Sequence, residues 1–400
     1  MAAGARRAWW PPWRPNRLTS PSPTRATRPT RSRRCPPRTT TPRWATRTST
    51  PTPTRSLAAL LAVAALGAAG CGPAPDLSIP LPEDARSRAP AAGAYAKPLG
   101  AAATGDPARE DSAYRDALIS TFTSITPENE LKWEVVQPSR GRFEFGPADA
   151  LVELAERTGK RVRGHPLVWD QQLPRWLAGR RWSAAALERV LRDHVTRAVV
   201  RYRGRVAAWD VVNEPLEDDG TLSRTIWTDA LGERYVDIAF DAARRADPGA
   251  KLFLNELAAE LPGPKQRALL RLARRLRARG VPIDGIGLQN HTEVGEAPTR
   301  DQLIAVLRRF ARLGLEVEIT EMDVAIPPAV ATSPRVLERQ ARAYADAAAA
   351  CAAVAACTGL TVWGVTDRWS WIGAERRPLP FDARGRPKPA LRALRAPLRR

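Results

Sequence analysis

Eight short apolar runs alternate with segments whose apolar residues recur every three or four positions, and that alternation leaves few folds open to this chain. The runs lie near Leu99 to Ala103, Thr121 to Thr126, Arg161 to His165, Val206 to Asn213, Lys251 to Asn255, Gly285 to Gln289, Glu316 to Glu321 and Leu360 to Val365. Helical period is plain between them, as in Ala150, Leu151, Leu154 and Ala155, or Leu303, Val306, Leu307 and Phe310. Arg279-Gly280 and Leu313-Gly314 supply left-handed stops just before the next strand. Strand then helix, repeated eight times in about 300 residues, predicts an α/β chain folded as a (β/α)8 TIM barrel with its working face at the strand C-terminal ends.

Two glutamates fall at such ends. Glu214 closes Trp209-Asp210-Val211-Val212-Asn213-Glu214-Pro215, and Glu321 sits in Val317-Glu318-Ile319-Thr320-Glu321-Met322-Asp323. Two carboxyl groups at one end of a barrel are the equipment of a retaining glycosidase: one protonates the leaving oxygen while the other attacks the anomeric carbon, across about 5 to 5.5 Å. Either glutamate alone reads equally well as a strand ending in a solvated loop.

Further strings accompany the pair in a fixed order. Thr126-Pro127-Glu128-Asn129-Glu130-Leu131-Lys132-Trp133 comes first, then Arg163-Gly164-His165-Pro166-Leu167-Val168-Trp169 with Gln172-Leu173-Pro174. Val281-Pro282-Ile283-Asp284-Gly285-Ile286-Gly287-Leu288-Gln289-Asn290-His291 lies between the two glutamates, and Thr361-Val362-Trp363-Gly364-Val365-Thr366-Asp367 with Ser370-Trp371 follows them. This ordered series resembles the family 10 glycoside hydrolases, the endo-β-1,4-xylanases, over about residues 97 to 395.

The resemblance implies a role for each matching residue. Glu214 would be the acid/base and Glu321 the nucleophile, with Asn213 reaching the sugar 2-hydroxyl. His291 would lie against Glu321 with Asp323 orienting its imidazole, and Gln289 would join the same network. Glu128, Asn129 and Lys132 would bind the non-reducing sugars, and His165, Trp169 and Gln172 would add further contacts. Trp363 and Trp371 would form aromatic walls, since flat rings suit the C–H faces of a pyranose. Trp133, Trp176, Trp182, Trp209 and Trp227 are expected in the core, Trp369 in either place, and His194 in a structural role.

Two departures bear on the leaving-group side. Where the family usually has Asn-Asp-Tyr-Asn this chain has Asn255-Glu256-Leu257-Ala258, so a tyrosine is missing, and after Trp169 a usual histidine is Asp170. Neither touches the carboxylate pair.

Charge needs dividing along the chain before it means anything. The net charge is +21, yet residues 1–71 hold 13 Arg, no Lys and no acid, which leaves +8 for the rest. In that remainder arginines recur at helical spacing, as in Arg271, Arg274 and Arg275, the pattern of a solvated face, so no nucleic-acid partner is expected. Residues 1–55, rich in Arg, Pro and Thr, lack apolar periodicity; they are expected not to fold and to precede the true translation start. Residues 56–71 read as a signal segment: ten apolar residues, Leu57 to Leu66, follow Arg55 and lead to small residues before Cys71. Processing of lipoprotein type at Cys71 is expected, with ordinary cleavage nearby as the alternative. A Pro- and Ala-rich tether would occupy 72–96, and the single catalytic barrel 97–400.

The enzyme is therefore expected outside the cell, as a cell-surface lipoprotein or secreted, touching membrane only through a lipid on Cys71. The family often pairs cysteines before its last strand, and Cys351 and Cys357 fit such a disulfide in an exported protein. No Cys/His cluster has metal spacing and no Gly-rich phosphate loop appears, so no cofactor is expected. A monomer acting on xylan is the expected form. The alternatives are the same chemistry on other β-1,4-glycans or aryl glycosides, and a non-catalytic xylan-binding barrel.

Overall fold

The computed structural model describes residues 76–91, 93–330 and 332–399. The expected lead, the signal segment, Cys35 and Cys71 lie outside the described residues. Within them run nine strands: β1 (Leu99–Ala103), β2 (Ser124–Pro127), β3 (Arg161–Gly164), β4 (Ala208–Asn213), β5 (Lys251–Glu256), β6 (Gly285–Leu288), β7 (His291–Glu293), β8 (Glu316–Ala325) and β9 (Cys357–Val362). β1 to β6 pair in sequence order, β6 pairs with β8, β8 with β9 and β9 with β1, all parallel. Eight strands thus close a (β/α)8 barrel, as the alternation predicts.

β7 is the piece outside that ring. It pairs only with the far end of β8, His291 opposite Asp323, which carries β8 four residues past Glu321. Several other strand ends shift by one to three residues, and the largest of these changes are at β2 and β9. Thr121 ends the helix Ser112–Thr121 rather than opening β2, and β9 starts at Cys357.

Large side chains fill the barrel, and small ones on neighbouring strands make room. A Cβ on Gly164 would fall 2.1 Å from the Trp209 ring, and one on Gly285 2.3 Å from Phe253. Outside, the helix Arg300–Ala311 buries Leu303, Val306, Leu307 and Phe310, the face its periodicity marks. The helix Pro264–Ala278 turns Arg271, Arg274 and Arg275 to solvent, and Arg275 pairs with Glu233, the residue just before the helix Arg234–Ala246. Gly280 and Gly314 stop their helices at φ +75° and +71°. Cys351, near the end of the helix Pro334–Ala353, is bonded to Cys357 at the start of β9.

Residues 76–91 and 93–96, expected as part of a tether from 72 to 96, are instead anchored on the barrel. Ile79 and Tyr95 are buried, and Leu77 and Leu81 lie against the core. Tyr95 donates its hydroxyl to the Thr121 carbonyl, and the Ala96 N–H donates to the Leu398 carbonyl. The compact unit therefore begins at Asp76. Leu77, Ile79 and Leu81 do alternate, but Pro80 and Pro82 interrupt the run and Tyr95 follows far along the chain, so the stretch reads as a tether.

Trp133, Trp209 and Trp227 are buried, and Trp176 and Trp182 are packed against the core. His194 stacks on Trp133 at 3.6 Å; burial pushes its pKa down to about 3, so it is a neutral packing group. Trp369 donates to Asp111, and its ring also packs against the core.

Candidate active site

Glu214 leaves β4 in the left-handed region, at φ +54°, where a non-glycine residue is held only by surrounding bonds. Its N–H donates to the Asn255 carbonyl of β5 at 2.9 Å. On its other flank, the N–H groups of Leu167 and Val168 donate to the Asp210 and Val211 carbonyls, which brings Trp169 alongside. Trp169 Nε1 then donates to Glu214 Oε2 at 3.0 Å, with Gln171 Nε2 at 3.4 Å. Gln289 Nε2 donates to Oε1 at 2.9 Å and Asn213 Nδ2 at 3.2 Å.

Glu321 is held differently. Asn255 Nδ2 donates to its Oε1 at 2.5 Å, and His291 Nε2 lies 3.4 Å from Oε2. His291 Nδ1 meets Asp323 Oδ2 at 2.9 Å. Burial alone would lower the pKa of this imidazole, but Asp323 and then Glu321 outweigh it and push the pKa up to about 10, so the ring is a cation at neutral pH. Trp371 Nε1 donates to the same Asp323 oxygen at 2.8 Å, its ring 5.0 Å from that of His291.

An amide bridge joins the two carboxylates. Asn255 Nδ2 also donates to Asn213 Oδ1 at 2.8 Å, and Asn213 in turn donates to Glu214. Thr320 fixes the Asn255 amide by donating to its Oδ1 at 2.6 Å. Asn255 drew no attention in the sequence except as the start of the departing string; its place at the end of β5, beside Glu214 at the end of β4, was the available signal.

Behind Glu321 lies a charge chain that the sequence did not announce. His165 Nδ1 meets Asp210 Oδ2 at 3.0 Å and stands 3.7 Å from Glu321 Oε1. Asp210 pairs with Arg163 at 2.5 Å, and Arg163 reaches Glu318 at 2.7 Å. Burial works to raise the Asp210 pKa, yet Arg163 and His165 hold it below the usual carboxylate range. Trp363 covers this region, its ring edge-on to His165 at 4.8 Å and to His291 at 6.3 Å.

The β2 end supplies the expected polar trio. Lys132 Nζ donates to Asn129 Oδ1 at 2.8 Å and sits 5.4 Å over the Trp169 ring. Burial lowers the pKa of Lys132, with Glu128 and Glu321 pulling the other way; burial raises Glu128 to about 7, with Lys132 opposing. Gln172 stands apart from these groups, donating to Glu134 at 3.2 Å, while its neighbour Gln171 faces Glu214. Asp170 is raised by burial and then by Glu214 and Glu217, a crowd of carboxyls beside Glu214.

Among the described residues no group of three or more His, Cys, Asp or Glu is arranged to hold a metal ion.

Known proteins share both the sequence and the barrel. Residues 88–397 match the family model of Glycosyl hydrolase family 10. An endo-1,4-beta-xylanase A of Phanerodontia chrysosporium is 42% identical over 277 residues, 69% of this chain and 66% of that protein, just under two thirds of its length. An endo-1,4-beta-xylanase A of Fusarium oxysporum f. sp. lycopersici is also 42% identical, over 62% of this chain and 78% of the relative. The crystal structure of xylanase 10B from Thermotoga maritima superposes with a TM-score of 0.72 at 35% identity, covering 79% of this chain and 96% of that one. Xylanase 10B from Thermotoga petrophila, solved in complex with xylobiose, does so at 0.72 and 34%, covering 80% and 97%. With a family match across nearly the whole described chain, and a closed barrel carrying two differently held carboxyl groups, this chain belongs to glycosyl hydrolase family 10.

Proposed function

We propose that this family 10 glycoside hydrolase is an endo-1,4-β-xylanase that cleaves internal bonds of xylan with retention, by double displacement through a covalent glycosyl-enzyme. The observation that carries the reading is the unlike support of the two carboxyl groups: a cation and an amide on Glu321, neutral N–H donors on Glu214. Relatives named as xylanases, one of them solved with xylobiose, support the substrate class.

In the first step Glu321 attacks the anomeric carbon as the glycosidic C–O bond breaks, and the Glu214 proton goes to the leaving oxygen. In the second, water attacks that carbon, Glu214 takes a proton from it, and the ester bond to Glu321 breaks. Asn213 lies between the carboxyls, where the 2-hydroxyl of the reacting sugar would come. Glu128, Asn129, Lys132 and His165 would bind the sugars on the non-leaving side, and Trp363 and Trp371 would supply apolar faces for them. Gln172 belongs to this set only through contact with bound sugar.

The chain would act as a monomer outside the cell, held by a lipid on Cys71 or released. Mass spectrometry of the mature N-terminus decides that point. For the reaction, reducing-sugar release from xylan should far exceed that from carboxymethylcellulose, and proton NMR should show the β-anomer as first product. Equal release from both polymers, or an α-anomer appearing first, would overturn the reading.

A further inference from the structure

Past Glu214 the chain has to change direction, and the groups that hold the turn come from the end of β5. The Leu216 N–H, two residues beyond Glu214, donates to Glu256 Oε2 at 3.1 Å. Glu256 is fully buried, and its other oxygen accepts from the Leu257 N–H at 2.9 Å and lies 3.1 Å from Lys265 Nζ. Among the described residues, three donors and no acceptor face this carboxyl group, the arrangement that an ionised carboxylate satisfies. Burial pushes its pKa up, Lys265 pulls the other way and Glu214 adds to the rise, so the ammonium is the group that favours the anion there.

Lys265 is placed for that task. It is buried in the first turn of the helix Pro264–Ala278 and also lies 3.5 Å from Asp218, on the loop that follows Glu214. Gly220 of that loop presses on the same helix, where a Cβ would come 2.8 Å from Ala268 and 2.9 Å from the Pro264 carbonyl. The exit from β4, the end of β5 and the start of this helix therefore form one packed unit around Glu256.

We propose that Glu256 is a positioning residue for the acid/base: compensated by Lys265, it grips the Leu216 N–H and fixes the left-handed main chain that aims the Glu214 carboxyl at the leaving oxygen. The inference rests on the assignment of Glu214 given above. An acid that is mis-aimed matters only to a leaving group that needs a proton, so the effect should depend on the leaving group, whereas general loosening of the fold would slow every substrate alike.

Glu256→Gln keeps the shape but offers one acceptor oxygen in place of two, which turns an NH2 toward a donor. Its kcat/KM should fall about 10- to 100-fold on xylotetraose and less than about threefold on 2,4-dinitrophenyl β-xylobioside, whose leaving group departs unprotonated. Lys265→Met, which keeps both main-chain bonds, should show the same selectivity with a smaller loss, about 3- to 10-fold on xylotetraose. Equal losses on the two substrates, or none on either, overturn the proposal; if Glu256→Gln does not fold, Lys265→Met decides by the same criterion. Failure of the underlying reading looks different: Glu214→Ala would then itself lack the leaving-group selectivity.

Discussion

Glu214, just past β4, and Glu321, on β8, lie on strands that β5 and β6 separate in the barrel, yet they share one amide bridge and are held by opposite chemistry. Glu321 lies among charges, with the His291 imidazolium at 3.4 Å and His165, backed by Asp210 and Arg163, behind it. Among the described residues, the hydrogen bonds to the Glu214 carboxyl come from neutral side chains, those of Trp169, Gln171, Gln289 and Asn213. A fixed cation suits a group that must attack as an anion. Neutral donors suit one that gives a proton away and takes it back, because they orient the carboxyl without tying it to one charge.

The hardest test of this contrast is to remove each group in turn. Glu321→Ala should cost about four orders of magnitude or more on every substrate, since nothing else supplies the nucleophile. Glu214→Ala should lose about 10²- to 10⁴-fold on xylan but still form the glycosyl-enzyme from a dinitrophenyl xylobioside, with azide rescuing its slow second step. Matching behaviour of the two variants on the activated substrate would erase the distinction.

A smaller effect is expected from the cation itself. His291→Ala should lower kcat/KM about 10²-fold on xylan and aryl glycoside alike, because it acts on the nucleophile and not on the leaving group. The same residue carries a stability term with a definite sign. Its pKa is raised from 6.5 to about 10 on folding, so the contribution is complete below about pH 6.5 and is lost as the pH climbs to about 10. Thermal melts of wild type and His291→Ala should accordingly converge between pH 6 and pH 10.5; a constant gap would mean that the ring is not charged.

On the leaving-group side the effects shrink further. Leu257, half-buried after Glu256, stands where the family usually has tyrosine. Leu257→Tyr should raise kcat/KM on xylotetraose several-fold, a gain on the order of 1 kcal/mol, and leave an aryl xylobioside unchanged. Equal effects on both substrates would show that residue 257 does not line a sugar site. Next to it, Ala258 is held at φ +56°, which costs an alanine about 1 kcal/mol and an asparagine less. Ala258→Asn should raise the melting temperature by about 1–2 °C with kinetics unaltered; a lower melting temperature would mean that the loop has no room for the amide.

The eight barrel strands were legible because buried parallel strands read as short apolar runs, and Gly280 and Gly314 because a left-handed stop favours glycine. β7 was not, since three residues paired to the overrun of β8 leave no periodicity to find. The same limit applies within the site. Strand-end residues such as Glu214, His291 and Asp323 announce themselves by position and motif. Asn255, Asp210, Arg163 and Glu256 act through partners on other strands, and no spacing along the chain encodes a contact across the barrel.

The packed segment ahead of β1 has a consequence for proteolysis. A Pro- and Ala-rich stretch before a catalytic domain reads as a cleavable spacer. Here Leu77, Ile79 and Leu81 hold it against the barrel, and the Tyr95 hydroxyl is spent on Thr121. The chain around Leu77, Ile79 and Leu81 is thus anchored once the domain has folded, so a protease that trims it there must act on the nascent or unfolded chain. Limited digestion of the native enzyme should leave a fragment whose N-terminus lies at or before Asp76, and one beginning near Leu99 would show that this segment opens independently of the barrel.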